Sequence, residues 1–450
     1  MRVNTFLLLP LLLLPLSGAV GAEFGVSASA TSDSVVYGTF GADPKFDQLA
    51  TAELSLFLAP DETADLTVRG SYEYLLSGDP YYFSLDELRY TLRSRFGQHG
   101  SFEFAMGRFE ERDPTGLIFH ETVDGFLVSF GLPGVHVSAT AGYTGLVFEE
   151  SSSIVVSIAD ALELQDDDPF GPPRLYVAAN GEHQLTDAGL TLGFGLAAQF
   201  DLHDRDDLAA PGDSLFSGAF TGPVQTQYQS VRLFGPIHEL VSLDLFGSMV
   251  TGSMLSPNFD TVTFEKAPIL GFLTGATITA TFDAESHPTI SAGAVFASGD
   301  DDSESTLEGN TSGYATSFVP ISTPVRVPWS RDNRGSLLTT SVFYSNLLLA
   351  ELSASIRPFG ALSGYVAKNT TAEIRGAAIL RTSEGEPPIS DVLSSFTGNY
   401  LGAEAAVGIS VGFAPFADLQ LDGGLFFPNE GAFLSSDIAY VVVGSVRVAY

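Results

Sequence analysis

Cysteine is absent from the 450 residues, so no disulfide can brace the fold and no thiol is available to carry a lipid anchor. Basic residues are scarce, 20 Lys and Arg against 54 Asp and Glu, for a formal charge of -34. That balance excludes nucleic acid as a partner, which requires a basic footprint. Long apolar runs are missing as well. Beyond the N-terminal stretch, none reaches the roughly 18 residues of a helical membrane span. A chain of this kind crosses a membrane as strands or does not cross one.

What is present at the N-terminus is a short export signal. Arg2 precedes an apolar run from Phe6 to Leu16, and the small residues Ser17 to Ala22 follow it. This layout predicts a secretory signal peptide over 1–22, cleaved after Ala22, with a single domain over 23–450. Only a few residues separate Ala22 from the first strand, which leaves no room for an N-terminal plug.

From Glu23 onward the apolar residues recur with a period of two. Ala50, Ala52, Leu54, Leu56 and Leu58 alternate with Thr51, Glu53 and Ser55, and Val135, Val137, Ala139 and Ala141 alternate with His136, Ser138 and Thr140. The organising stretch is Leu85 to Met106, two strands around Gly97-Gln98-His99-Gly100. On the first, Leu88, Tyr90, Leu92 and Phe96 share one face; Glu87, Arg89, Thr91, Arg93 and Arg95 share the other. In a soluble sandwich the apolar face points into a core, whereas in a transmembrane barrel it meets lipid and the charged face lines the interior.

Connection lengths choose between the two. Short turns fall near Pro60-Asp61, Gly97 to Gly100, Gly131 to Gly134, Thr186 to Gly189, Gly235-Pro236, Glu285 to Pro288, Arg357 to Gly360 and Ala414 to Ala417. Between them lie long acidic segments: Val147 to Pro172, His203 to Val224, Gly299 to Gly335 and Thr382 to Ser395. A sandwich has no reason to segregate loop lengths by end; a barrel with short periplasmic turns and long outer loops does. The expected fold is all-β, a closed antiparallel transmembrane barrel of about 18 strands (16 to 18), closed by pairing of the last strand with the first around Phe24 to Ala30.

Two stretches carry a family resemblance. Tyr440, Val442, Gly444, Val446, Val448 and the terminal Tyr450 share one face of a last strand, and this resembles bacterial outer-membrane β-barrels, whose closing strand ends on an aromatic read by the barrel-assembly machinery. Glu87-Leu88-Arg89-Tyr90, Met106-Gly107-Arg108-Phe109 and Val123-Asp124-Gly125-Phe126 look like the strand, Gly-Arg, Asp-Gly, strand pattern of porins and of 18-stranded alginate-export-like barrels. The resemblance implies residence in the outer membrane, with its lipids and the assembly machinery as partners.

Six of the 20 basic residues, Arg69, Arg89, Arg93, Arg95, Arg108 and Arg112, cluster on three neighbouring strands. Alternation points Arg69, Arg89, Arg93 and Arg95 into the lumen beside Glu73, Glu87 and Glu103. This wall either presents a ladder of positive charge to anionic solutes or pairs internally to stiffen the barrel, and the two roles can coexist. Arg108 and Asp124 break parity, so either a bulge at Gly107 turns Arg108 inward or both sit at the rim, where they are expected as an exposed ion pair. Ser152 to Gln165 is apolar enough to fold inward as a constriction loop, with Glu163, Asp166, Asp167 and Asp168 facing the arginines, or to lie over the mouth as a cap.

The acidic clusters at Asp166 to Asp168, Asp204 to Asp207 and Asp300 to Glu304 lack the spacing of a calcium loop and read as solvated. His136 and Ser138 are neighbours on one face with no third partner, so no catalytic set is expected. Nothing calls for a cofactor or a metal, and no face reads as a subunit interface. The expected function is a porin-like channel for passive diffusion of small hydrophilic solutes, anionic ones included. The alternative is a non-conducting barrel that binds a surface ligand through its acidic outer loops, an adhesin.

Overall fold

The computed structural model describes residues 23–449 apart from 77–80, 98–99, 147–151, 155, 157–159, 161–169, 186–188, 204–223, 259–262, 301–315, 323–341, 343, 385–387, 390–391, 394–395 and 434. Glu163, Asp166, Asp167, Asp168, Tyr450 and the signal segment lie outside the described residues.

The alternating segments become 18 strands. The first six are β1 Glu23–Thr39, β2 Lys45–Asp61, β3 Ala64–Leu75, β4 Tyr82–Phe96, β5 Gly100–Arg112 and β6 His120–Leu132. The next six are β7 Val135–Tyr143, β8 Arg174–Leu185, β9 Leu190–Asp201, β10 Val224–His238, β11 Val241–Asn258 and β12 Thr263–Thr281. The last are β13 Thr289–Ala297, β14 Leu347–Ile356, β15 Thr370–Leu380, β16 Tyr400–Ala414, β17 Ala417–Pro428 and β18 Ala439–Ala449, with one short helix, α1 Tyr365–Lys368, in the connection before β15. Each strand pairs antiparallel with its sequence neighbours, and β1 pairs with β18. The sheet therefore closes on itself, and every strand finds backbone partners on both sides. That is the condition for strands to lie in hydrocarbon, where an open edge would leave N–H and C=O groups without partners.

Closure occurs higher on β1 than the alternation suggests. β18 runs against Ser29–Thr39, and Glu23–Ala28 pair with β2 alone. Seven of the eight short turns fall where expected, and one does not. β10 continues through Gly235-Pro236 and turns after His238; the proline is accommodated by a register shift between Pro236 and His238, with Gly235 at φ 133. A proline in a ladder is tolerated at a bulge, which is why a turn signal here marks a distortion within a strand. At Pro133-Gly134, by contrast, Leu132 pairs with Val135 and Gly134 has φ 74, the positive value that a Pro-Gly tight turn requires at its second central residue.

The outward rows are apolar and uncovered. Leu352, Ile374 and Val407 keep 59%, 61% and 60% of their surface exposed, a distribution that water disfavours and lipid requires. The inner face is identified by what packs on it. Phe109 of β5 and Val123 of β6 join one buried cluster with Leu117, Ile118 and Phe119 of the connecting loop. Further loop residues, Phe318, Ile321, Val342 and Tyr344, complete this cluster against rows from β5 to β17. No residue of β1, β2, β3 or β4 belongs to it. Long loops thus fold into the barrel and pack against one side, a feature that strand alternation does not reveal.

Candidate functional site

The strands that contribute nothing to this cluster include those that carry the arginines. Cross-strand register places Arg69 opposite Glu87, Thr67 opposite Arg89, Asp65 opposite Thr91 and Arg93 opposite Glu103. Glu103 lies in turn opposite Ser129, in the rows that carry Phe109 and Val123. The wall is therefore on the inner face, as parity requires.

Its charges are extensively paired. Arg89 Nε lies 3.0 Å from Glu87, and Arg69 lies 3.9 Å from Glu87 and 4.0 Å from Glu110. Arg93 is held between Glu103, at 3.0 Å, and the buried Asp65. Arg95, opposite Ser101 and nearest the short turn, makes no ion pair among the described residues. Glu73 accepts the Tyr82 hydroxyl. The wall is a mixed lattice of both signs rather than an unbroken positive ladder, with one arginine presented at its lower end.

Arg108 and Asp124 are brought together directly across β5 and β6, Nε to Oδ1 at 3.1 Å and Nη2 to Oδ2 at 2.8 Å. Arg108 also donates to the Leu85 and Leu146 carbonyls, and its side chain is only 9% exposed. The pair is thus far less exposed than its position in the sequence suggests. No register shift at Gly107 turns Arg108 inward. Gly107 is nonetheless required: its φ is 117, and a Cβ there would collide with the Leu88 carbonyl oxygen.

A second group, not evident from the sequence, pins the loop after β7. Arg174 is fully buried at the start of β8. Its Nη2 lies 2.6 Å from Asp160 Oδ2 and 3.0 Å from Asp201, and its Nη1 reaches Gln199 and, at 3.3 Å, the Val224 carbonyl. Glu121 accepts the Ser153 amide at 2.7 Å and its hydroxyl at 3.0 Å. The described part of the 152–165 segment is therefore tied to the inner wall from two sides. Asp160, Asp201 and His203 each offer a ligand atom within 4.8 Å of one another, but the Arg174 guanidinium already supplies the positive charge among them. Arg174 shares inward parity with Tyr176 and Ala178, so alternation carried the signal; the preceding Pro172-Pro173 hid it.

Opposite the arginine wall lies a cavity of about 610 Å³ between the strand rows and the packed loops. Its lining includes Phe234, Asp244, Thr277, Glu351 and Arg375, with Leu117 and Tyr344 from the loops. Arg232 forms a two-bonded pair with Asp244, 2.8 and 2.6 Å, and donates to the Pro114 carbonyl at 2.7 Å, which fixes the 113–119 loop over the cavity. Arg375 stands 3.6 Å from Glu404. At the long-loop end, Arg381 donates to the Gly398 and Glu384 carbonyls at 2.8 and 3.1 Å, and burial lowers its pKa from the ordinary guanidinium value.

A closed 18-strand barrel with an apolar outside, a charged inside and infolded loops is the architecture of outer-membrane channels. Three solved structures from Pseudomonas aeruginosa have a similar fold. OccK2 (OpdF) in complex with glucuronate superposes with a TM-score of 0.55 at 12% identity over 95% of this chain and 98% of that one. OccK5 (OpdH) gives 0.54 at 12% over 95% and 98%. OpdK with vanillate gives 0.51 at 11% over 94% and 99%. No protein-family model and no curated protein matches the sequence.

Proposed function

We propose that this chain is an outer-membrane channel through which small hydrophilic solutes diffuse passively, along the lane bounded by β1 to β4. The observation that carries this reading is the asymmetry of the interior: among the described residues, loops pack apolar surface against β5 to β17, whereas the inner rows of β3 and β4 carry paired arginines and glutamates and contribute nothing to that cluster. Charged rows of this kind are stable where water reaches them. Eighteen strands give a barrel wide enough for an aqueous lumen even with part of it occupied.

Solutes bearing a carboxylate suit the wall at Arg95, where a cation lacks a partner, and Arg89 and Arg93 can exchange part of their internal pairing for a passing anion. Glucuronate and vanillate, bound in two of the similar barrels, are carboxylates of suitable size. The assembly machinery and outer-membrane lipids are the partners this reading entails.

The purified protein is expected to produce discrete ohmic current steps in planar bilayers. A folded barrel that inserts and passes no ions would favour the surface-binding alternative instead.

A further inference from the structure

The outward row of β10 turns from apolar to polar partway along the strand. Val231 and Leu233 are apolar, but the next three outward positions toward the long-loop end are Gln229, Gln227 and Gln225, all exposed. Among the described residues none of the three amides makes a hydrogen bond within the barrel. The row enters the apolar belt at Gln229, which lies opposite Leu196 of β9 and Met249 of β11, with Met249 opposite Phe272 of β12; Gln227 lies opposite Ala198 and Thr251, and Gln225 opposite Ser253. Leu196 is 56% and Phe272 47% exposed. Acyl chains offer an amide no donor and no acceptor, so a glutamine at this position needs a partner from another protein surface.

The same region is concave. A furrow of about 600 Å³ crosses it, floored by Gln229, Val231 and Gly247 and walled by Phe194 and Leu196 on one side and Phe272 on the other. A second, of about 550 Å³, continues from Gly247 toward Leu233 and Phe296.

We propose that this face binds a second copy of the chain about a two-fold axis along the membrane normal, β10 against β10. The inference rests on the reading that the barrel lies in a membrane. Copies inserted with the same polarity can be related only by an axis in that direction, and such an axis sets each residue opposite the partner's residues at its own height. A carboxamide carries both donors and an acceptor, so a glutamine facing its own counterpart is self-complementary, as a lysine or glutamate row would not be. The half-turn also places β9 of each copy opposite β11 of the other. The Phe194 and Leu196 ridge, 50% and 56% exposed, then meets the partner's furrow at Gly247, where the missing side chain leaves room. The surface thus supplies both the ridge and the groove that fits it.

The cysteine-free sequence makes the test direct. Full-length barrels carrying Gln229→Cys or Gln227→Cys are treated with copper phenanthroline in isolated outer membranes, beside Val407→Cys, which is equally lipid-facing on β16. Heat-dependent gel mobility verifies that each variant is folded in the membrane, so a failure of the membrane reading is recorded separately. The expected result is a reductant-sensitive dimer from the β10 variants and monomer from Val407→Cys. Folded monomer at both β10 positions, or dimer at Val407→Cys to the same extent, overturns the proposal.

Discussion

Replacing Arg89, Arg93 and Arg95 together by alanine is expected to shift the channel's selectivity toward cations by roughly tenfold in permeability ratio, since one unit charge about 4 Å from another contributes about 1 kcal/mol even in bulk water. The sign follows from the lattice. Removal of Arg89 leaves Glu87 with Arg69 alone, at 3.9 Å, and removal of Arg93 releases Glu103 and Asp65, so three cations disappear and two carboxylates lose their counter-charges. Both changes act in the same direction. Glu87→Gln with Glu103→Gln is expected to move the reversal potential the opposite way. Reversal potentials in a salt gradient read both shifts, with heat-dependent gel mobility as the control for folding, because Asp65 is buried and loses its partner. Unchanged reversal potentials in folded variants would show that the wall is structural only.

Arg174→Met is expected to lower stability by about 3–5 kcal/mol, the usual cost of leaving a buried ion without its partner. Here two carboxylates without measurable side-chain exposure lose their guanidinium: Asp160, which keeps the Val156 amide, and Asp201, which keeps His203 and the Val224 amide. Adding Asp160→Leu removes one stranded charge and should recover part of the loss, since an apolar replacement of a buried pair is frequently neutral. The variant should also loosen Asp160 from β8, while the bond between Glu121 and Ser153 is kept, and raise single-channel conductance. Urea unfolding midpoints and single-channel recordings measure the two effects. A midpoint equal to that of the unaltered chain would contradict the anchoring role of Arg174.

The barrel was largely legible in the sequence because lipid imposes alternation on every strand: Leu88, Tyr90 and Leu92 against Arg89, Thr91 and Arg93 state the facing of β4 outright. Turn positions followed from Gly, Pro and Asp chemistry, except at Gly235-Pro236, where the same residues serve a bulge. The pairing partners of the arginines were only partly legible. Glu87 and Glu103 sit one strand away or on the same strand, but Asp65 meets Arg93 diagonally, through a register that no single strand specifies. The interior was the least legible part. Phe109, Tyr176 and Tyr228 follow inward parity in a chain whose inward residues are otherwise polar, and only contact with Leu117, Phe119 and Phe318 from distant loops explains why they are apolar. Such contacts leave no periodic trace. The glutamines of β10 blurred that strand's pattern for a related reason: they are polar on the side where lipid calls for apolar residues.

The central claim is that the odd-numbered positions of β4 from Glu87 to Arg95 face a water-filled lane and the even-numbered ones from Leu88 to Phe96 face lipid. It is tested most directly by single-channel current through barrels carrying Arg93→Cys or Leu92→Cys, before and after a charged, membrane-impermeant methanethiosulfonate. The account predicts a stepwise change in current at position 93 and none at position 92; modification at 92 with silence at 93, or silence at both in a folded conducting barrel, would contradict it.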